Sequence, residues 1–162
     1  MKCSDIYIYL VRHGQASARF DEAYDPGLDE VGLAQALATA KELMPLGPLP
    51  VLTSPLLRAR QTASAFEDCW SVHAQVETAL SEIPSPNQNL TSRAAWLQQA
   101  MHGSWNEMSG EHQKWRERVA AVLGAFKETT VVTSHFIAIN AAVGIATKDD
   151  RVVCFEPDNC SC

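Results

Sequence analysis

The chain has 162 residues, 46% of them hydrophobic and 20% charged, which suits a single globular domain spanning residues 1–162 with a sizeable core. A formal net charge of −6 excludes a broad electrostatic surface for nucleic acid or anionic membrane, so an anionic substrate needs a local cluster of cations. No apolar run approaches a membrane span, the first residues lack a signal-peptide pattern, and the cysteines Cys3, Cys69, Cys154, Cys160 and Cys162 are irregularly spaced, so free thiols in a cytoplasmic protein are expected.

Residues 6–11 form an apolar, β-branched run with the composition of a buried parallel strand, which stops at Arg12-His13-Gly14. A polar segment follows, with Pro26-Gly27 marking a turn. Asp29 is placed to cap a helix over residues 30–44, with Val31, Ala34, Leu37 and Ala38 as its apolar stripe. The connector at residues 47–50 leads into a strand at residues 51–53, which ends at Ser54-Pro55. Next come a helix over residues 57–69 and a weak strand at residues 73–78. Regular patterning fades from Ser81 to Gly110, apart from a short helix at residues 92–101. Ser109 can cap a long helix through Lys127, because Trp115, Val119, Val122, Leu123 and Phe126 share one face. Residues 130–133 read as a buried strand ending at Ser134-His135. An apolar helix over residues 136–146 and a last strand at residues 151–155 complete the pattern. Alternating strands and helices predict an α/β fold, a three-layer α/β/α sandwich around a mostly parallel sheet.

Three strand ends therefore carry Arg12-His13, Ser54 with Arg58 four residues on, and Ser134-His135. If the strands are parallel neighbours, these groups share the crevice at their C-terminal ends, where open α/β sheets bind ligands. Two arginines and two histidines around one pocket repel each other, and a phosphoryl group of about two negative charges offsets that repulsion. Arg58 falls in the first turn of its helix, where free backbone N–H groups also favour an anion.

With the blocks V-R-H-G-Q-A-S, L-D-E-V-G-L-A-Q-A, T-S-P-L-L-R-A-R-Q-T-A, L-S-E-I and V-V-T-S-H in order over most of its length, the chain resembles the histidine phosphatase superfamily, the phosphoglycerate-mutase-like family, as a compact bacterial-type member. The resemblance implies that His13 is a nucleophile forming a phosphohistidine. It implies that Arg12, Arg58 and His135 bind the phosphoryl group, that Glu82 donates the proton, and that neither metal nor other cofactor takes part. Ala16 and Arg19 stand where relatives often carry Ser or Thr and Asn, so Gln15 and Ser17 become candidate phosphate contacts. Compact relatives that act on protein phosphohistidine generally lack an acid equivalent to Glu82, so Glu82 favours a phosphate monoester as the small phosphorylated substrate. Residues 84–109, with Arg93, Trp96 and Trp105, form the candidate lid.

Relatives continue beyond a segment like residues 155–161 into another strand and helix. The sheet is therefore expected to lack its last edge strand, with residues 151–155 at an exposed border that a second copy, as a homodimer, could cover. Three alternatives stay open: a protein phosphohistidine phosphatase, a phosphoglycerate mutase, and a non-catalytic phospho-ligand or protein-binding module on the same fold.

Overall fold

A computed structural model describes residues 5–162. Four strands, β1 (Ile8–Arg12), β2 (Val51–Thr53), β3 (Gln75–Val76) and β4 (Thr130–Ser134), form one parallel sheet in the order β1-β4-β2-β3. Helices α1 (Glu30–Leu43) and α2 (Leu57–Trp70) pack on one face, and α4 (Gly110–Gly124) and α5 (Phe136–Thr147) on the other. The remaining helix, α3 (Leu90–Met101), packs Trp96, Leu97 and Met101 against the α4–α5 side.

Strand β4 is central and wholly buried, and its alternation explains both cores. Val131 joins Val11, Val51, Phe66 and Trp70 on the α1–α2 side. Thr133 on that same face donates its hydroxyl to the Ala59 carbonyl at 3.1 Å, and its oxygen lies 2.8 Å from the Thr53 hydroxyl. The opposite core gathers Trp105, Trp115, Val119, Ile137 and Val152. The register Arg12↔Ser134 and Thr53↔Thr133 brings three strand ends to one level.

Helix α1 begins at the expected cap, with Asp29 Oδ1 accepting from the Gly32 N–H at 2.7 Å. Its buried face is not the expected stripe. Gly32, Ala36, Thr39 and Ala40 face inward, while Val31 and Leu37 are exposed. Close approach decides this. A Cβ on Gly32 would lie 2.1 Å from the Gln15 carbonyl oxygen, and one on Gly14 would lie 2.5 Å from the Gly32 carbonyl oxygen. Small residues let the helix press onto the loop after β1, and larger apolar ones are left outside.

The expected strand at residues 151–155 does not form. Its backbone donors go elsewhere: Val152 N–H to the Gly103 carbonyl, and the N–H groups of Cys154 and Phe155 to the Asn140 side-chain oxygen. A single antiparallel bridge joins Arg151 to Ser104, and Asp149 holds the Arg151 guanidinium and N–H. Val152 is therefore core without being sheet. The sheet border on this side is β1, and residues 157–161 return to it. Cys160 N–H donates to the Arg12 carbonyl at 3.0 Å, and Arg12 N–H donates to the Ser161 carbonyl at 3.2 Å. With Cys160 at φ 56°, this is the hydrogen-bond pattern of an antiparallel bulge at the end of β1. The expected helix end at Lys127 is instead at Gly124, capped by Ala125. Cys69, Cys154, Cys160 and Cys162 are unpaired, and Cys3 lies outside the described residues.

Candidate active site

His13 extends β1 by one residue, its N–H donating to the Ser134 carbonyl at 3.0 Å. Gly14 then turns the chain under α2, donating its N–H to the Thr62 hydroxyl at 3.1 Å. The His13 Nδ1 lies 2.7 Å from the Gly14 carbonyl oxygen. A carbonyl only accepts, so Nδ1 carries the proton and Nε2 presents its lone pair. Arg58 Nε donates to that Nε2 at 3.1 Å. Burial first, and then the Arg58 charge, pull the His13 pKa down to about 3. The ring is therefore neutral at ordinary pH, with its unprotonated nitrogen held by a guanidinium.

Arg12 and Arg58 both line a cavity of about 390 Å³ together with His13 and Glu82. The Arg12 guanidinium donates from Nη1 to the Pro157 carbonyl at 2.8 Å and lies 5.1 Å over the Phe136 ring, while its Nε is buried without a partner. Arg58 Nη1 has a counter-charge in Asp25 Oδ1 at 3.7 Å. The same Oδ1 accepts from Leu57 N–H at 2.8 Å, so Asp25 also caps α2 from a distant loop. Burial pulls both arginines below their ordinary pKa, and Glu82 opposes it. The buried, unpartnered Arg12 N–H suits an acceptor-rich anion.

Glu82 follows the turn at Thr78–Leu80 and reaches the start of α5. Its Oε1 accepts from the Ile83 N–H at 3.0 Å and the Ala138 N–H at 3.2 Å, and its Oε2 from the Ile137 N–H at 3.1 Å. The carboxyl thus caps a helix whose own N-cap residue, His135, makes no side-chain bond to the helix N–H groups. These donors and Arg58 favour the carboxylate, but burial outweighs them and raises the Glu82 pKa. The group is half-buried and lines the cavity.

His135 is wholly buried behind His13, ring centroids 5.2 Å apart, and does not line the cavity. Its Nε2 is 2.7 Å from the Ser54 hydroxyl, and its Nδ1 has no partner. Burial, then Arg58 and His13, hold its pKa well below the ordinary value. The structure does not bring Gln15 or Ser17 to the cavity. Gln15 donates its side-chain amide to Asp29 Oδ2 at 2.8 Å, tying the loop to the α1 cap. Ser17 is exposed and bonds through its backbone to Gly27. Their neighbours Ala16 and Ala18 face the cavity instead. Sequence reasoning missed Asp25 and the Pro157 carbonyl, neither of which carries a local pattern. Among the described residues no group of three metal-ligating side chains gathers.

Known proteins resemble this chain in sequence and in fold. A family model described as the histidine phosphatase superfamily (branch 1) matches residues 8–162. A probable phosphoglycerate mutase of Erwinia tasmaniensis is 27% identical over 157 residues, 85% of this chain and 73% of its own length. A 5''-phosphoribostamycin phosphatase of Niallia circulans is 37% identical over 89 residues, 49% of this chain and 42% of its own. Among solved structures, a mycobacterial glucosyl-3-phosphoglycerate phosphatase superposes with a TM-score of 0.72 at 21% identity, over 94% of this chain and 87% of that one. That likeness carries the fold alone.

Proposed function

Since the chain belongs to the histidine phosphatase superfamily and is a phosphoric monoester hydrolase, we propose that it acts through a phosphohistidine on His13. Nε2 attacks phosphorus, forming an N–P bond as the bond to the leaving oxygen breaks. Arg58 turns its Nε–H from His13 to a non-bridging oxygen, and Arg12 supplies its unpartnered N–H. Glu82 gives its proton to the leaving oxygen, then accepts one from the water that attacks the phosphohistidine. The carboxyl is thereby regenerated, and phosphate and free imidazole are released.

The observation that carries this reading is the neutral His13 ring, its Nε2 lone pair met by Arg58 in a cavity shared with Arg12 and Glu82. His135 is given a supporting role behind His13, its ring packed at a tilt against it and keeping the region hydrogen-bonded through Ser54. Residues 84–109 are read as the specificity segment, because Leu97 and Met101 of α3 face the cavity. Brief mixing with a labelled phosphate monoester should leave acid-labile, base-stable phosphate on the protein, and His13→Ala should abolish label and turnover. Label that persists in His13→Ala refutes the nucleophile assignment.

A further inference from the structure

We propose that His112 is a positioning residue for Glu82, holding the loop that carries the general acid against α4. The inference rests on the acid role read above for Glu82 and concerns how that carboxyl is kept in place. Glu82 sits in a stretch without regular structure, between the turn at Thr78–Leu80 and the start of α3. On one side the backbone is fixed at Leu80, whose carbonyl accepts from the buried Ser134 hydroxyl at 2.7 Å. On the other side lie Pro84 and Pro86, which have no N–H with which to close a turn of their own. The Pro84 carbonyl, two residues after Glu82, is instead held from α4, with His112 Nε2 at 2.8 Å. Between the two anchors Ile83 is buried in the core and gives its N–H to Glu82 Oε1 at 3.0 Å. A shift at Pro84 is therefore passed to the carboxyl through one residue.

The imidazole is held on every side that matters for this. A carbonyl only accepts, so Nε2 carries the proton, and Nδ1 of the neutral ring presents its lone pair 2.8 Å from the Ser109 hydroxyl. Ser109 is the N-cap of α4, and its oxygen also accepts the His112 backbone N–H at 3.4 Å. The ring stacks on Trp96 of α3, centroids 5.0 Å apart. Bonded at both nitrogens and packed on one face, it has a single orientation. His112 is only 7% exposed, so its Nε2–H has little water to turn to if the Pro84 carbonyl moves away. One ring thus ties together the Glu82 loop, α3 and α4. His112 does not itself line the cavity, so its effect on the acid step passes through Glu82.

The test uses the whole chain with ethyl phosphate and p-nitrophenyl phosphate, whose leaving groups differ in their need for a proton. His112→Phe keeps a ring against Trp96 and removes both side-chain hydrogen bonds. It should lower kcat on ethyl phosphate about tenfold, the scale of one hydrogen bond, and on p-nitrophenyl phosphate less than about twofold. His112→Gln sets an amide nitrogen as many bonds from Cβ as Nε2 is, and should bring ethyl phosphate turnover back to within about threefold of wild type. In the Glu82→Gln background, adding His112→Phe should slow ethyl phosphate by less than about twofold more, because the carboxyl it positions is gone. His112→Leu makes the same comparisons where His112→Phe does not fold. Equal losses on both esters, or full additivity with Glu82→Gln, overturn the proposal while the phosphatase reading stands. No turnover of either ester by wild type, with no phosphohistidine formed, overturns both.

Discussion

Replacing Glu82 with glutamine tests two roles of one carboxyl at once. As general acid, Glu82 should matter most for an alkoxide leaving group, so ethyl phosphate should slow by about 10²–10⁴, or about 2.7–5.5 kcal/mol of barrier. p-Nitrophenyl phosphate leaves as a stabilised phenolate and should lose less than about tenfold. As a cap, the carboxyl pairs three backbone N–H groups with two acceptor oxygens. Glutamine has one acceptor oxygen, so its amide nitrogen must face at least one of those N–H groups. One orphaned donor costs about 2 kcal/mol, roughly 4–8 °C in melting temperature for a chain of this size. The pH dependence has a definite sign. Because the folded-state Glu82 pKa is raised, wild type holds the associated stability fully below the ordinary carboxyl value and loses it as pH rises through the folded value. The stability deficit of Glu82→Gln should accordingly be larger in acid than at pH 8. Steady-state kinetics on the two esters and melts at two pH values measure all of this. Equal kinetic losses on both leaving groups would refute the acid role, and an unchanged melt would refute the cap.

Gly32→Ala should destabilise the fold by at least about 2 kcal/mol, because its Cβ would sit 2.1 Å from a backbone oxygen; a thermal melt within a degree of wild type contradicts that packing. His13, with a folded pKa of about 3 against 6.5 unfolded, contributes stability that is present above pH 6.5 and lost as pH falls. Between pH 8 and pH 5 that loss is about 2 kcal/mol, so denaturant titrations of His13→Asn should decline less by that amount. Parallel slopes for variant and wild type would rule it out. Activity should be unaffected by EDTA, since Arg12 and Arg58 supply the charge a metal would; loss in EDTA with recovery on adding Mg²⁺ or Zn²⁺ would contradict the mechanism.

The strand ends were legible because burial writes a continuous apolar run and function interrupts it. Thus Val11 before Arg12-His13 and Val132-Thr133 before Ser134-His135 announce both sheet and site. Helix α1 was legible in extent and cap but not in orientation, because its inward face is chosen by closeness to Gln15, which small residues permit and hydropathy does not record. Residues 151–155 have the composition of a strand. What unmade it was the side chain of Asn140, an acceptor on another element that no local window contains. The loop after β1 was the hardest to read. Gln15 and Ser17 have phosphate-binding chemistry, yet the backbone turns Ala16 and Ala18 toward the cavity instead.

The sheet order also constrains when the site can exist during synthesis. His13 and Arg58 sit beside strands that are not neighbours, and β4, more than seventy residues after Arg58, lies between β1 and β2. Until β4 is made, His13 and its guanidinium partner have no sheet to hold them together. At translation rates of about 5–20 residues per second, that interval after Arg58 lasts several seconds. During it β1 is an unpaired apolar strand, the kind of segment on which chaperones and aggregation compete. The chain thus pays the loop-closure entropy of its longest contacts at the step that inserts β4. A nascent chain stalled before Thr130 should therefore be unable to capture a phosphoryl group, although His13 and Arg58 are already present.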